Sequence, residues 1–426
     1  GHYDEKKISL RKAALDFLNS KKIVSSDVTG IKKKNIFFFT TRRKKITHIK
    51  KLRLNFFIDD LSEVLCDKNF PTETNKILFS KTKDDKKNIV KINNWFKIDE
   101  IINGNWSTQH LKKLSSILLK KNDILDLNQI HNGINNKVNK LKFKKNKNLI
   151  LKTYPFDDNF ISRRMRVENN SLKYLKKNNF PVPAIHKSFF EFNCSFYEFQ
   201  SGKKNLKASK LLIDQCYDFL KKLFLLSRKT KINLFPNAKE ACFNPNEICE
   251  QIEKRFNNLI KINNKKLNNF LLIDFRDLFK KYLKITKSKL NKKFKNNISN
   301  SNKILSPSDF GLHNTLSKKN KLYFLDFEYF GWDDPVKLIC DFLWHPGNNM
   351  SKKLKDRFLN KVINLFSKKY KNFKNKLYVL LPLYGLRWCL IILNCFVKKN
   401  YKNKILETQQ LKKAKKILTQ VSHYGY

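Results

Sequence analysis

Asp309, Asn314 and Asp326 offer the clearest chemistry in this sequence. They stand in SPSDFGLHNTLSKKNKLYFLDFEYFGWDD, residues 306–334. Asp309 lies five residues before Asn314, in a stretch with loop character marked by Pro307 and Gly311. The apolar run 322–325 reads as a short buried strand and ends directly in Asp326. A loop carboxylate, a loop carboxamide and a strand-end carboxylate can meet at one point. Phosphoryl transfer from ATP asks for that set. One carboxylate accepts the proton of an attacking hydroxyl, while an amide oxygen and a second carboxylate hold magnesium on the phosphates. A plain hairpin with surface acids is the alternative, but this spacing ahead of a buried strand favours transfer.

Such a site needs elements upstream to hold the nucleotide. Residues 129–142 can form two strands around a turn at Gly133, Ile134, Asn135 and Asn136, whose N–H groups could cover phosphates. Residues 148–154 (NLILKTY) form a strand with Lys152 inside it, and a lysine in a buried strand needs an anion unless it snorkels from an edge. A helix over 160–175 presents Glu168 on one face with Leu172 and Leu175. Residues 194–199 (CSFYEF) read as another strand. From Lys203 onward the pattern is helical, over 208–227, 245–259, 268–290, 335–344, 351–370 and 377–396.

The order of these features resembles the aminoglycoside phosphotransferase and choline kinase group, relatives of the protein kinases. Their catalytic loop runs His-Gly-Asp-Leu-His-x-x-Asn, and a strand ending in Ile-Asp-Phe-Glu or Ile-Asp-Trp-Glu follows. This chain has SPSDFGLHN and then FLDFEYFGWDDP. Asp309, Asn314, Asp326 and Glu328 fall on that pattern, and Pro307 replaces a histidine that buttresses the loop. The resemblance covers about residue 127 to the end. It implies a bilobal α+β fold, with a small lobe over 127–200 and a helical large lobe over 201–426. It implies ATP and Mg2+ as cofactors, Asp309 as the base, and Asn314 and Asp326 on the metal. Lys152, oriented by Glu168, would hold phosphates under a turn containing Gly133 and Asn136. Main-chain groups at Glu198 and Phe199 would read the adenine edge. The acceptor would bind between the catalytic loop and the later helices, near Asp334, Trp344, Arg387 and Trp388, with Asp333, His345, Tyr384 and Asn394 close by. Arg387, in an apolar helix, needs either a buried acid or an anionic substrate group. Glu328, two residues past Asp326, is expected to face the opposite side if the strand continues.

The first 103 residues form a separate α/β pattern. Strands are expected at 35–41, 55–60 and 76–79, and helices at 7–18 and 44–52, which implies a parallel sheet with ligands at its carboxyl ends. Thr40, Thr41, Asp59 and Asp60 occupy those ends. This arrangement resembles a partial, Rossmann-like haloacid-dehalogenase-like domain, with Asp59 and Asp60 as a possible second metal site and Lys44, Lys45 or Lys50 as its lysine. The family's Asp-x-Asp-x-Thr nucleophile motif does not precede Lys7, and the chain starts without Met, so this domain reads as truncated. A connecting helix is expected over 104–126.

Composition bounds the rest. Lys+Arg 90 against Asp+Glu 36 gives a net charge of +54. The lysines are scattered among Asn, Ile and Phe from end to end, which argues for a solvated face and against nucleic acid as a partner. The eight cysteines form no Cys-x-x-Cys pair and read as free thiols of a cytoplasmic protein. Residues 377–396 are apolar, but Pro382, Arg387 and Asn394 interrupt them, so a buried helix is expected in place of a membrane span. The reading is an ATP-dependent small-molecule kinase acting on a hydroxyl of a sugar or related metabolite. Its alternatives are a non-catalytic pseudokinase and pseudophosphatase scaffold, or a bifunctional phosphatase–kinase if a nucleophile lies upstream. Nothing in the sequence speaks to oligomeric state.

Overall fold

The computed structural model describes residues 9–25, 29, 31–54, 56–72, 74–80, 89–93, 95, 98, 108–121, 123–132, 136–144, 148–155, 162–190, 193–205, 207–397 and 404–423. The chain divides into two compact units. One comprises Gly1–Asn139, Thr153–Ser162 and Phe189–Cys194; the other comprises Lys140–Lys152, Arg163–Ser188 and Ser195–Tyr426.

The first unit opens with α1 (Leu10–Ser20), capped by Ser9, and α2 (Arg42–Leu52), capped by the Thr41 hydroxyl. Strands β1 (Phe56–Asp59), β2 (Asn75–Phe79) and β3 (Val90–Ile92) form a parallel sheet in that order, with the short helix α3 (Ser62–Leu65) between the first two. Ile46, Ile49, Leu65, Phe70 and Leu78 make its core. The strand expected over 35–41 does not form. Residues 33–35 are a single 3-10 turn, and the run after them joins no strand. Its aromatics pack sideways instead: Phe37 and Phe39 lie 4.3 and 5.1 Å from the His48 ring on α2. An apolar run without a neighbouring strand has no ladder to join, and here it rests on a helix instead. Helix α4 (Thr108–Leu119) buries Leu111 and Leu119. Strand β4 (Ile124–Asn132) follows and begins ahead of the expected lobe boundary at 127.

Strands β5 (Lys137–Phe143), β6 (Leu149–Thr153), β7 (Ile185–Phe189) and β8 (Cys194–Glu198) are ordered β5-β6-β8-β7, with α5 (Arg163–Lys177) between β6 and β7 in sequence. Helix α5 buries Met165, Glu168, Leu172 and Leu175, positions three to four apart. After β9 (Lys203–Lys204) come α6 (Lys210–Ser227), α7 (Pro245–Ile260), α8 (Lys265–Asn269), a π turn over Phe270–Phe275, and α9 (Arg276–Leu290). Asn244 and Glu247 form a capping box at the start of α7: Asn244 Oδ1 accepts from Glu247 N at 3.0 Å, and Glu247 Oε2 from Phe243 N at 2.6 Å. Strands β10 (Ile304–Ser306), β11 (Thr315–Lys318), β12 (Lys321–Phe324) and β13 (Gly331–Asp333) frame the loops at 307–314 and 325–330. Helices α10 (Pro335–Trp344), α11 (Lys352–Ser367), α12 (Phe373–Ile392) and α13 (Lys404–Ser422) complete the unit.

Residues 373–396 are the one helical stretch, among the described residues, long and apolar enough to cross a membrane, and 67% of it is buried inside this unit. Tyr384 and Arg387 on α12 are enclosed, so the stretch is a core helix. Beneath the loops, Phe219 of α6 stacks at 4.0 Å on Phe324 and 5.7 Å from Phe310, and Phe310 sits 5.2 Å from Phe342 of α10. Each loop acid therefore has a buried aromatic beside it in sequence, Phe310 after Asp309 and Phe327 after Asp326. Burying those two rings fixes the backbone from which the acids project.

Candidate active site

The hairpin β11–β12 explains why residues distant in sequence converge. Its strands pair Thr315 with Phe324 and Lys318 with Lys321. The turn residues Lys319 and Asn320 both have positive φ, 47° and 59°, as a two-residue primed turn requires. Asn314 and Asp326 flank the open end of this hairpin, where Leu325 N–H donates to Asn314 O at 2.9 Å.

The two acid-bearing loops both use backbone that L-residues rarely adopt. Ser308 and Asp326 each have φ 65°. Asp309 N–H reaches back to Pro307 O at 2.9 Å, which makes a tight turn centred on Ser308. Ser308 Oγ donates to Lys239 O at 2.9 Å and helps hold that turn. Strain of this kind persists where surrounding packing over-determines the loop.

Lys152 on β6 lies at the centre of an acid cluster. Its ammonium is 2.6 Å from Glu168 Oε2, 2.7 Å from Asp326 Oδ1 and 3.5 Å from Glu328 Oε2. Burial alone would push Lys152 down; Asp326, Glu168 and Glu328 hold it well above the ordinary lysine range. It is charged at any pH the protein meets. Glu168 Oε1 also accepts the Phe327 N–H at 3.3 Å, so α5 is tied to the loop that carries Asp326.

Glu328 does not face away from Asp326 as strand alternation predicts. Strand β12 ends at Phe324, and the positive φ at Asp326 turns the chain, so the period of two no longer applies. Glu328 is 4% exposed and joins the same cluster, with Arg164 Nη1 at 3.8 Å.

Asp309 is about four-tenths exposed at its side chain. Its Oδ1 is 3.1 Å from His313 Nε2 and 3.5 Å from His345 Nε2. Burial pushes Asp309 up, but the His313 hydrogen bond, both imidazoles and Asn314 bring it below the usual carboxylate range. His345 is pushed down to about 4 by burial and by the neighbouring His313. Asn314 Nδ2 donates to Asp309 O at 3.0 Å, which leaves Asn314 Oδ1 as the atom able to bind a metal. Together with Asp326 it offers hard oxygen donors, the chemistry that suits Mg2+.

No protein-family model and no curated protein matches the chain. Solved structures do. A spectinomycin phosphotransferase in complex with ADP and spectinomycin superposes with TM-score 0.53 at 12% identity, over 74% of this chain and 99% of that one. The Plasmodium vivax ethanolamine kinase gives 0.51 at 18%, over 80% and 95%. A choline/ethanolamine kinase family protein from Mesorhizobium loti gives 0.50 at 14%, over 73% and 95%. The chain has the protein-kinase-like fold of these proteins.

Within that fold the other expected residues take varied places. Gly133 lies outside the described residues, and Asn136 belongs to the first unit, directly ahead of β5. Glu198 N–H is engaged by Ala184 O at 2.9 Å, so that donor is not open to an adenine. Phe199 follows it, with Lys140 Nζ 4.0 Å from its ring centroid. Asp334 caps α10 through Val336 N–H and pairs with Lys376 at 2.6 Å. Trp344 is 3% exposed and donates Nε1–H to Leu381 O. In the first unit Asp59 is buried against Lys45 at 2.5 Å and accepts from Leu61 N–H, while Asp60 faces solvent. Sequence reasoning passed over His313 altogether; its only signal was a histidine four residues after an acid.

Arg387 has found a buried acid, Asp341, and a half-buried one, Glu240. Its guanidinium donates to Asp341 at 2.9 Å, Glu240 at 2.7 Å and Gln251 at 2.8 Å, and Trp388 Nε1–H shares Asp341 Oδ1 at 2.8 Å. Asp341 also meets Lys337, which pairs with the fully buried Asp333. These three guanidinium donors cannot be redirected to a substrate without stranding the acids they hold. Arg387→Met is therefore expected to cost stability, by about 3–5 kcal/mol for breaking a buried pair. Denaturant unfolding measures the loss, and calorimetry should find MgATP affinity intact. A variant as stable as wild type would return Arg387 to the list of substrate groups.

Proposed function

We propose that this protein is an ATP-dependent phosphotransferase whose acceptor is a hydroxyl of a small molecule, a sugar or related metabolite. The observation that carries the reading is the convergence of Asp309, Asn314, Asp326 and the Lys152–Glu168 pair within a kinase-like fold. Asp309 accepts the acceptor's proton as its oxygen bonds to the γ-phosphorus; the bond from that phosphorus to the bridging oxygen breaks, and the electron pair leaves on ADP. Bound Mg2+ would offset charge on the β- and γ-phosphates. Asn314 Oδ1 and Asp326 would hold it, and Lys152 would move from Asp326 onto the phosphates while keeping Glu168. Main-chain atoms at Glu198 and Phe199, excluding the engaged Glu198 N–H, would meet the adenine. Asp334, Trp344, Arg387 and Trp388 support the floor of the acceptor site more than they touch the acceptor. The eight free thiols fit a reducing cytoplasm. ATP consumption against a panel of sugars, amino alcohols and aminoglycosides tests the proposal; no acceptor-dependent ADP would sink it.

The domains follow as 1–103, a connecting helix over 104–126, a small lobe over 127–200 and a large lobe over 201–426. A haloacid-dehalogenase-like origin for the first is supported by its parallel sheet and the Asp59–Lys45 pair. The chain in hand should not hydrolyse phosphate monoesters, because these residues can hold a metal but supply no nucleophile. Turnover of an aryl phosphate that survives Asp309→Ala and is lost in Asp59→Asn would reverse that expectation and favour the bifunctional reading.

A further inference from the structure

Two imidazoles converge on one oxygen of Asp309, and nothing in the reading above uses them. His313 comes from the turn Leu312–Asn314, and His345 ends α10. Their rings lie 3.8 Å apart between centroids and only 7° from parallel. The tautomers follow from their other nitrogens. Gly347 N–H donates to His345 Nδ1 at 2.9 Å, so that nitrogen is a bare lone pair and a neutral ring carries its proton on Nε2. His313 Nδ1 is buried without a hydrogen-bond partner among the described residues. A proton there would be an orphaned donor, so the proton of His313 also belongs on Nε2. The Nε2–H of His313 then donates to Asp309 Oδ1 at 3.1 Å, while the near-parallel His345 ring stacks behind it with Nε2 3.5 Å from the same oxygen and no hydrogen bond to it.

The same three side chains are spaced closely enough to suggest a divalent cation. The geometry decides against it. Lone pairs of near-parallel stacked rings lie in parallel planes, and one ion cannot sit in both. Gly347 also fixes His345 in the tautomer that has no lone pair on Nε2.

The packing around the pair has the shape of a support. A Cβ at Gly311 would come 2.7 Å from His313 Nδ1, and one at Gly347 would come 2.9 Å from His313 Cβ. Asn348 Oδ1 accepts the Leu312 N–H at 2.7 Å, and its Nδ2 donates to Phe342 O at 2.6 Å, tying the loop to α10. Trp388 meets His345 edge-on at 4.7 Å. Pro307, just before this loop's tight turn, brings no side-chain donor.

We propose that His313 is the positioning residue of Asp309, an N–H clamp that fixes Oδ1 and leaves Oδ2 as the oxygen that takes the acceptor's proton, with the stacked His345 ring holding His313 in place. The clamp rests on the phosphotransferase reading. Misplacing a reacting group by about 1 Å can cost about 10²-fold in rate, so His313→Ala is expected to lose about that factor in kcat, and His345→Ala less. KM for MgATP should stay at the wild-type value, because neither ring touches Lys152 or Asp326. Glutamine reaches about as far as imidazole Nε2 and keeps an N–H, so His313→Gln should recover most of the rate where alanine does not.

The probe is MgATP with the same panel of sugars, amino alcohols and aminoglycosides as acceptors and ADP release as the readout, on the full chain. If wild type releases no ADP above the Asp309→Asn background, the phosphotransferase reading fails and the clamp falls with it. If Asp309→Asn is silent but His313→Ala keeps wild-type kcat, the clamp alone is overturned. Equal losses for alanine and glutamine would also overturn it, since that is the mark of packing and not of a donor. Wild-type turnover in excess magnesium that stops on adding a zinc-selective chelator would replace the clamp with a metal centre.

Discussion

Asp309→Asn is expected to lower phosphoryl transfer about 10²- to 10⁴-fold, the usual contribution of a positioned general base. The amide keeps the shape of the side chain but cannot take a proton. Nucleotide affinity should barely move, because in the proposed reading Lys152, Asn314 and Asp326 would meet the phosphates and Asp309 would not. Steady-state transfer to whichever acceptor the screen finds measures the first, and calorimetric titration with MgATP the second. A variant that turns over at the wild-type rate would remove the base from this loop and promote the scaffold reading.

Lys152→Met is expected to fail twice. Glu168 and Glu328, each with a side chain at most 4% exposed, would lose the cation they share with Asp326. Stranding buried carboxylates costs about 3–5 kcal/mol, visible as an earlier unfolding transition. The variant should also bind MgATP too weakly to detect by calorimetry, since the phosphate contact proposed for Lys152 would be gone. Adding Glu328→Gln removes one of the stranded charges, so the double variant should recover part of the stability and none of the nucleotide binding. Wild-type melting of Lys152→Met would mean that the ammonium is not what holds the cluster.

How much of this was legible in the sequence varies by feature. The Asp309–Asn314–Asp326 set, the strand lysine and its helix glutamate were readable because each sits in an unbroken local signal, an apolar run or a helical face. The first helices, β1, β2 and most of the large lobe were readable for the same reason. The run at 35–41 looked like a strand because its side chains suit one; whether a partner strand lies beside it is a tertiary fact that no window of residues contains. Glu328 was assigned the wrong side because one left-handed residue, Asp326, breaks the alternation, and Asp gives no more warning of positive φ than any turn-former. His313 escaped notice because its meaning depends on His345, thirty-two positions later, reaching the same carboxylate oxygen.

The two-residue turn at Lys319 and Asn320 sits at the closed end of the β11–β12 hairpin, while Asn314 and Asp326 sit at the open end. Distance along the chain and distance in space are thereby uncoupled. A relative could carry a longer turn, or a ladder extended by one residue in each strand, and still present its amide and its carboxylate side by side. Fixed-interval searching would miss that relative, although the two side chains had not moved. What such a protein must retain is the closure of the ladder next to them, here the Leu325 N–H to Asn314 O contact, and not any particular count of residues between them.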